Sequence, residues 1–283
     1  MLSFYSRVRA TFKSLLIIAT VALASVANAQ NYRILISNDD GIESPLLAVL
    51  KQEIASLDNV EVVLVAPHIN QSGSSHSSSG GEMDIERVFR DGEFFGYAVY
   101  GKPADAVRFG IVHLGAQQPF DLVISGINRG ANVGMVSHLS GTVGAAMEGI
   151  YHGIPAIAVS QDTSGVDTLK SAKFVSQLVQ RYQREGAPQG IVISINIPSG
   201  EIKGVQVRPM IDSYLQTDGY TLNRESGNTA TYERQRIVVE SSHIAGDTFA
   251  YQQGYIAITP LKFDWTDHAF IQEVQSWDLQ LQP

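Results

Sequence analysis

Short, mainly apolar runs alternate with helical patterns through the first half of this chain. Residues 33–37 (Arg-Ile-Leu-Ile-Ser), 60–65, 121–125 and 155–160 read as buried strands. Between them, residues 45–55 place Leu46, Leu50 and Ile54 at helical spacing. Residues 103–114 and 142–152 carry two further helical patterns. Strands apolar on both faces, separated by helices, predict a mainly parallel sheet covered on each side. The expected fold is therefore α/β, a Rossmann-like three-layer arrangement.

The second half changes character. Residues 167–184 read as a helix with Phe174, Leu178 and Tyr182 on one face, and residues 191–197 as one more buried strand. Residues 205–207, 229–239 and 255–259 look antiparallel. Asp91-Gly92, flanked by residues 83–89 and 94–100, marks a hairpin. Residues 72–81 are so rich in Ser and Gly that they read as a loop with no face to bury.

The first 29 residues stand apart. Arg7, Arg9 and Lys13 precede an apolar core at residues 15–24, and Ala27-Asn28-Ala29 is a small-x-small cleavage site. This pattern predicts a signal peptide cut before Gln30, with the mature chain exported to the periplasm or secreted. The apolar run falls short of the roughly 20 residues of a spanning helix, so the mature form is expected to need no membrane. Residues 30–283 then form one domain, with a core over about 30–185 and C-terminal strands and oligomerisation elements over about 186–283. Removing three basic and no acidic residues takes the formal charge from −8 to −11. That balance argues against a nucleic-acid duplex as partner. The chain has no cysteine, which excludes disulfides, thiolate zinc sites and a cysteine nucleophile.

In an open parallel sheet, ligands bind beyond the carboxyl ends of the strands. Asn38, Asp39 and Asp40 follow the first strand, and Asn70, Gln71 and Ser72 follow the second. Gly126, Asn128, Arg129 and Asn132 follow residues 121–125, and Ser140-Gly141-Thr142 then opens a helix. Carboxylates, hydroxyl and amide are hard oxygen donors, suited to Mg²⁺, Mn²⁺ or Ca²⁺ rather than zinc. A helix start offers free N–H groups to a phosphate. A cation site and an anion site on one edge suggest a phosphate ester, with the cation polarising phosphoryl oxygens and acidifying a water. Each piece has a plainer reading. Asp-Asp-Gly also makes turns, Ser-Gly-Thr also caps helices, and Asn128 also closes Asx turns. His68, His76, His138 and His152 lack the i, i+4 pairing of a helical zinc site and are read as surface or packing residues.

These residues lie in motifs that resemble the SurE (survival protein E) nucleotidase family. The motifs are residues 34–41 (Ile-Leu-Ile-Ser-Asn-Asp-Asp-Gly), Val65-Ala66-Pro67 with Asn70-Gln71-Ser72-Gly73, and residues 101–107. Residues 121–134 (Asp-Leu-Val-Ile-Ser-Gly-Ile-Asn-Arg-Gly-Ala-Asn-Val-Gly), 140–149 and 254–261 complete the set. Their order holds over most of residues 32–262. The resemblance implies a metal-dependent 5′(3′)-nucleotidase or acid phosphatase acting on nucleoside monophosphates. It implies one divalent cation per subunit on Asp39, Asp40, Ser72 and Asn128; in the mechanism expected from such a site, Asp39 or Asp40 also handles a proton. It places Asn132, Ser140, Gly141 and Thr142 near the substrate phosphate. It also implies a homodimer or homotetramer built with C-terminal elements, for which the hairpin signals between residues 204 and 240 are suited.

The chain departs from the family pattern at His68-Ile69 in place of Asp-Arg, at His76 where Asn is frequent, and at Lys102 in place of Thr. Residues 135–139 (Met-Val-Ser-His-Leu) replace a stretch that is often acidic. Two other functions compete. A serine hydrolase needs a G-x-S-x-G elbow between strand and helix, and no such pentapeptide sits there. An exported protein that binds a phosphorylated ligand without hydrolysis would use the same edge, although binding alone does not call for two adjacent carboxylates facing an anion.

Overall fold

A computed structural model describes residues 31–281, so the proposed signal peptide lies outside the described residues. Nine strands form one sheet in the order β3-β4-β2-β1-β5-β6-β7-β11-β8. The parallel centre is made of β1 (Tyr32–Ser37), β2 (Val60–Pro67), β5 (Leu122–Arg129), β6 (Ala156–Gln161) and β7 (Val192–Ile197). β3 (Ile85–Arg90) and β4 (Glu93–Val99) form the hairpin that Asp91-Gly92 predicts, and β4 adds parallel to β2. β11 (Ile256–Leu261) runs antiparallel to β7.

Alternation along β1 shows how both faces are covered. Ile34 and Ile36 point into one core with Leu50 and Ile54 of α1 (Pro45–Ala55) and Val175 and Val179 of α4 (Thr168–Glu185). Leu35 points into the other, with Val107 of α2 (Pro103–Phe109) and Val143 and Ala146 of α3 (Gly141–Tyr151). Each fully buried aliphatic side chain stabilises the fold by roughly 1.5–3 kcal/mol. Helix starts follow local chemistry. The Asp167 carboxylate accepts N–H groups of Leu169 and Lys170, and Ser140 Oγ accepts the Val143 N–H at 3.1 Å. Past α2, one π-type turn at Gly110–Leu114 completes the helical pattern expected over 103–114.

Two sequence expectations change, and two short helices are new. Residues 205–207, expected antiparallel, form β8 (Val205–Val207), which pairs parallel to β11. The chain does reverse after β7, but β11, from far along the sequence, lies between the two and becomes the bonded neighbour. The strand expected at 121–125 runs on through Arg129. Its register shifts between Ser125 and Asn128, where Gly126 holds φ +140° against the Val159 carbonyl. Asn128 is therefore the carboxyl end of β5 rather than a loop residue. The helices α5 (Asp247–Gln252) and α6 (Ile271–Ser276) carried no sequence signal, because six residues are too few to show a period.

β9 (Leu215–Ser226) and β10 (Thr229–Val238) form a separate two-stranded hairpin. It exposes Tyr220, Leu222, Tyr232 and Val238 to solvent. No helix among the described residues is long and apolar enough to cross a membrane.

Candidate active site at the carboxyl edge of β1 and β5

The strand order reverses between β1 and β5, since β2 lies on one side of β1 and β5 on the other. That reversal opens a crevice at the strands' carboxyl ends. β1 delivers Asn38, Asp39 and Asp40 to it. The Asn38 side chain donates to the Gly41 carbonyl at 3.0 Å and accepts the Gly41 N–H at 3.2 Å, closing a tight turn. Gly41 sits at φ +96°, where a Cβ would lie 2.8 Å from the Ile69 carbonyl carbon. The turn thus allows the loop after β2 to cross directly over the acidic pair.

That loop is pinned to the pair. The Gln71 N–H donates to the Asp39 carbonyl at 2.7 Å, and Asn70 Nδ2 donates to Asp40 Oδ1 at 3.1 Å. The Ser72 N–H donates to Asn70 Oδ1 at 2.9 Å, so the Asn70 amide links Ser72 to the Asp40 carboxylate. From β5, the Arg129 N–H donates to Asp40 Oδ2 at 3.1 Å. Asn128 is buried and gives its Nδ2 to the Gly130 carbonyl at 2.6 Å, which leaves Oδ1 as its donor oxygen toward a ligand. It both closes a local turn and stands at the crevice.

Asp39 is 3% exposed, and its Oδ1 accepts the Thr142 hydroxyl at 2.5 Å. Burial pushes its carboxyl up to about 6, against the hydrogen bonds from Thr142, and the charge on Asp40 adds to the rise. Burial raises the half-buried Asp40 as well, opposed by the Arg129 N–H and charge. The start of α3 therefore meets Asp39 directly. A Cβ on Gly141 would lie 2.8 Å from Asp39 Cβ and 2.7 Å from Ser74 Oγ, so only glycine allows this approach.

The residues expected near the substrate phosphate are placed differently from one another. The Thr142 hydroxyl is committed to Asp39, and the Ser140 hydroxyl to its own helix cap. Asn132 is buried and turns Nδ2 to Ser160 Oγ at 2.8 Å, while its N–H donates to Asn196 Oδ1 at 2.7 Å. The Val143 N–H is taken by Ser140 Oγ and the Thr142 N–H also turns to Asp39, so the Gly141 N–H is what the start of α3 offers an anion.

A hard cation fits this donor set. Asp39, Asp40, Asn128 Oδ1 and Ser72 Oγ are all oxygens, and a positive ion relieves the two carboxyls that burial disfavours as anions. Ser74 Oγ, against Gly141, is buried with no hydrogen-bond partner. Among the described residues no three His, Cys, Asp or Glu side chains gather into a metal cluster, so the fit rests on two carboxylates with neutral oxygens.

Sequence reasoning assigned no role to Asn70, Ser74 or Glu148. Asn70 was legible only as part of a polar cluster, and Ser74 was hidden in a Ser-rich run. Glu148 is the one acid in a helix of small and apolar residues, a signal in itself. Of the departures, His68 stacks on Tyr100 at 4.0 Å, and Lys102 Nζ donates to Gln71 Oε1 at 3.0 Å, one residue from Ser72. Beside the site, Ser140, Val143, Gly144 and Met147 of α3 wall a cavity of about 700 Å³ with His138 and Trp265 opposite.

Fold and site define an α/β protein whose switch-point edge gathers two adjacent carboxylates, Asp39 and Asp40, with neutral oxygen donors beside the start of a helix. Residues 34–217 match the family model described as Survival protein SurE, and the chain belongs to that family. It is 36% identical over 256 residues to the 5′-nucleotidase SurE of Chlorobaculum tepidum, covering 89% of this chain and 96% of the relative. To the 5′-nucleotidase SurE of Clostridium beijerinckii it is 37% identical over 251 residues, covering 85% and 97%. The crystal structure of the SurE protein from Aquifex aeolicus superposes with a TM-score of 0.74 at 30% identity, covering 87% of this chain and all of that one.

Proposed function

We propose that this chain is a divalent-cation-dependent phosphomonoesterase that hydrolyses nucleoside monophosphates to nucleoside and phosphate. Family membership and the relatives named 5′-nucleotidase support the hydrolase class and the nucleotide substrate. The observation that carries the cation is the adjacent pair Asp39–Asp40 at the switch point, with Asp39 buried against the start of α3.

Asp39, Asp40, Ser72 and Asn128 are the residues that would hold the ion. A bound divalent cation supplies Lewis-acid polarisation of the phosphoryl oxygens and acidifies a nearby water. Asp39 is locked by Thr142 and serves orientation. Asp40 is the more accessible carboxylate and is assigned the proton of the attacking water. Water forms the new P–O bond, the ester P–O bond breaks, and the leaving oxygen takes up a proton. The Gly141 N–H and the positive end of the α3 dipole stabilise the phosphoryl oxygens through this change. The cavity beside Ser140 has the size of a small-molecule site and is assigned to the nucleoside. The basic, apolar and small-residue pattern of residues 1–29 adds an exported location to this reading.

The test is phosphate release from a panel of nucleoside monophosphates and p-nitrophenyl phosphate, with Mg²⁺, with Mn²⁺ and with EDTA. Release that needs the metal is the expected result. Folded protein that binds nucleotides yet releases no phosphate with any metal overturns it in favour of a binding protein.

A further inference from the structure

The Ser72 loop is fixed at two ends. Its near end is held by Asn70 and Gln71, as described above. Its far end is held by a carboxylate outside the crevice. The Glu148 side chain on α3 is wholly buried. Its Oε2 meets His76 Nε2 at 2.5 Å. Its Oε1 accepts Arg108 Nε at 2.7 Å and meets His152 Nε2 at 3.0 Å. Burial pushes this carboxyl up, but hydrogen bonds from His76 and Arg108 outweigh it and hold it below the usual range. A buried anion with three basic partners makes a rigid fixture, because losing a partner leaves charge unpaired in the interior.

The surrounding contacts all act on the same segment. The Ser75 N–H donates to the Leu139 carbonyl at 3.2 Å. Ser78 Oγ donates to Asp105 Oδ1 at 2.9 Å, and the Ser79 N–H to Asp105 Oδ2 at 2.9 Å. Arg108 Nη1 donates to Ser78 Oγ at 2.7 Å, so one guanidinium joins both carboxylates. Gly144 lets the loop lie flush on α3, since a Cβ there would overlap the Ser75 carbonyl. Between the anchors, residues 72–75 are Ser-Gly-Ser-Ser, with Gly73 at φ +79°. Such a stretch has almost no conformational preference of its own, so its ends must set its path.

We propose that His76 and Glu148 are positioning residues, which fix the far end of this loop and thereby hold Ser72 in register with Asp39, Asp40 and Asn128. The proposal rests on the cation-dependent reading above. Neither residue is given any part in bond making or breaking.

The experiment measures Mn²⁺ binding to the metal-free full chain by the loss of the free Mn²⁺ electron-spin-resonance signal, alongside circular dichroism and melting temperature. Supporting groups around metal ligands typically contribute 10–100-fold in metal affinity, so His76→Ala is expected to weaken Mn²⁺ binding by roughly tenfold or more. His76→Gln, which keeps a donor toward Glu148, is expected to restore most of it. Ser72→Ala supplies the decisive arm. If His76 acts through Ser72, adding His76→Ala to Ser72→Ala costs far less than it does in the wild type. Unchanged affinity in His76→Ala, or fully additive losses in the double variant, overturns the positioning role while leaving the metal site intact. If His76→Ala does not fold, Glu148→Gln, which keeps the side chain's shape but removes the charge that holds His76, runs the same cycle against Ser72→Ala. A wild-type chain that binds no Mn²⁺ overturns both this proposal and the reading beneath it.

Discussion

Asp39→Asn separates stability from function in one substitution. Asp39 is almost wholly buried, and burial raises its carboxyl from 3.8 to about 6. In the metal-free protein at neutral pH the fold therefore carries an ionised group that it disfavours by roughly 3 kcal/mol relative to the unfolded chain. Asparagine has the same shape and accepts the Thr142 hydrogen bonds, but bears no charge. In EDTA at pH 8, Asp39→Asn should melt about 5–10 °C above wild type for a domain of this size. The pH course follows from the sign of the shift. A raised carboxyl makes the native state bind more protons than the unfolded state between about pH 4 and 6, so wild-type stability falls as pH rises through that window. The gap between variant and wild type should open across it, stay constant above pH 6 and vanish below pH 4. Mn²⁺ should reverse the order by stabilising wild type alone. Scanning calorimetry in EDTA and in Mn²⁺, with phosphate release measured in parallel, checks all three. An Asp39→Asn protein less stable than wild type at pH 8 in EDTA would show that the fold does not disfavour the ionised Asp39.

Other sites read out other parts of the structure. Gly141→Ala pushes a methyl against Asp39 Cβ and Ser74 Oγ, so phosphate release should fall at least about tenfold with far-UV circular dichroism unchanged. Met147→Trp fills the cavity beside Ser140, and KM for a nucleoside monophosphate should rise several-fold while kinetics on p-nitrophenyl phosphate stay near wild type. Leu50→Ala removes a wholly buried side chain far from the crevice and should cost about 2–5 kcal/mol in urea unfolding, with turnover per folded molecule preserved. Light scattering tests the homodimer or homotetramer that the family resemblance implies: replacing residues 216–237 by a short Gly-Ser turn, which removes the exposed faces of Tyr220, Leu222 and Tyr232, should lower the particle mass.

The central sheet was legible because each of its strands is apolar on both faces, as in Ile34-Leu35-Ile36, and each ends in a polar cluster. The oxygen donors could be picked out from strand ends alone, because the switch-point rule says where to look. The resemblance then named the same Asp39, Asp40, Ser72 and Asn128. Pairings that depend on distant chain were not legible. Nothing local in Val205-Gln206-Val207 says that residues 256–258 will lie beside it. The commitments of individual polar groups were equally hidden. Thr142 reads as a phosphate ligand in sequence, yet its hydroxyl serves Asp39. His76 reads as a surface or packing residue, yet its imidazole is tied to Glu148, 72 positions away. The Ser-rich loop looked like a linker because its order comes from Asp105, Arg108 and Glu148, not from its own residues.

The most direct test measures phosphate release from a nucleoside monophosphate as Mn²⁺ is titrated into metal-free protein, with wild type and Asp40→Asn run side by side. No release is expected without metal, saturable release with it, and loss of most turnover in a folded Asp40→Asn. Equal turnover in the two proteins, or full activity in EDTA, would contradict this expectation.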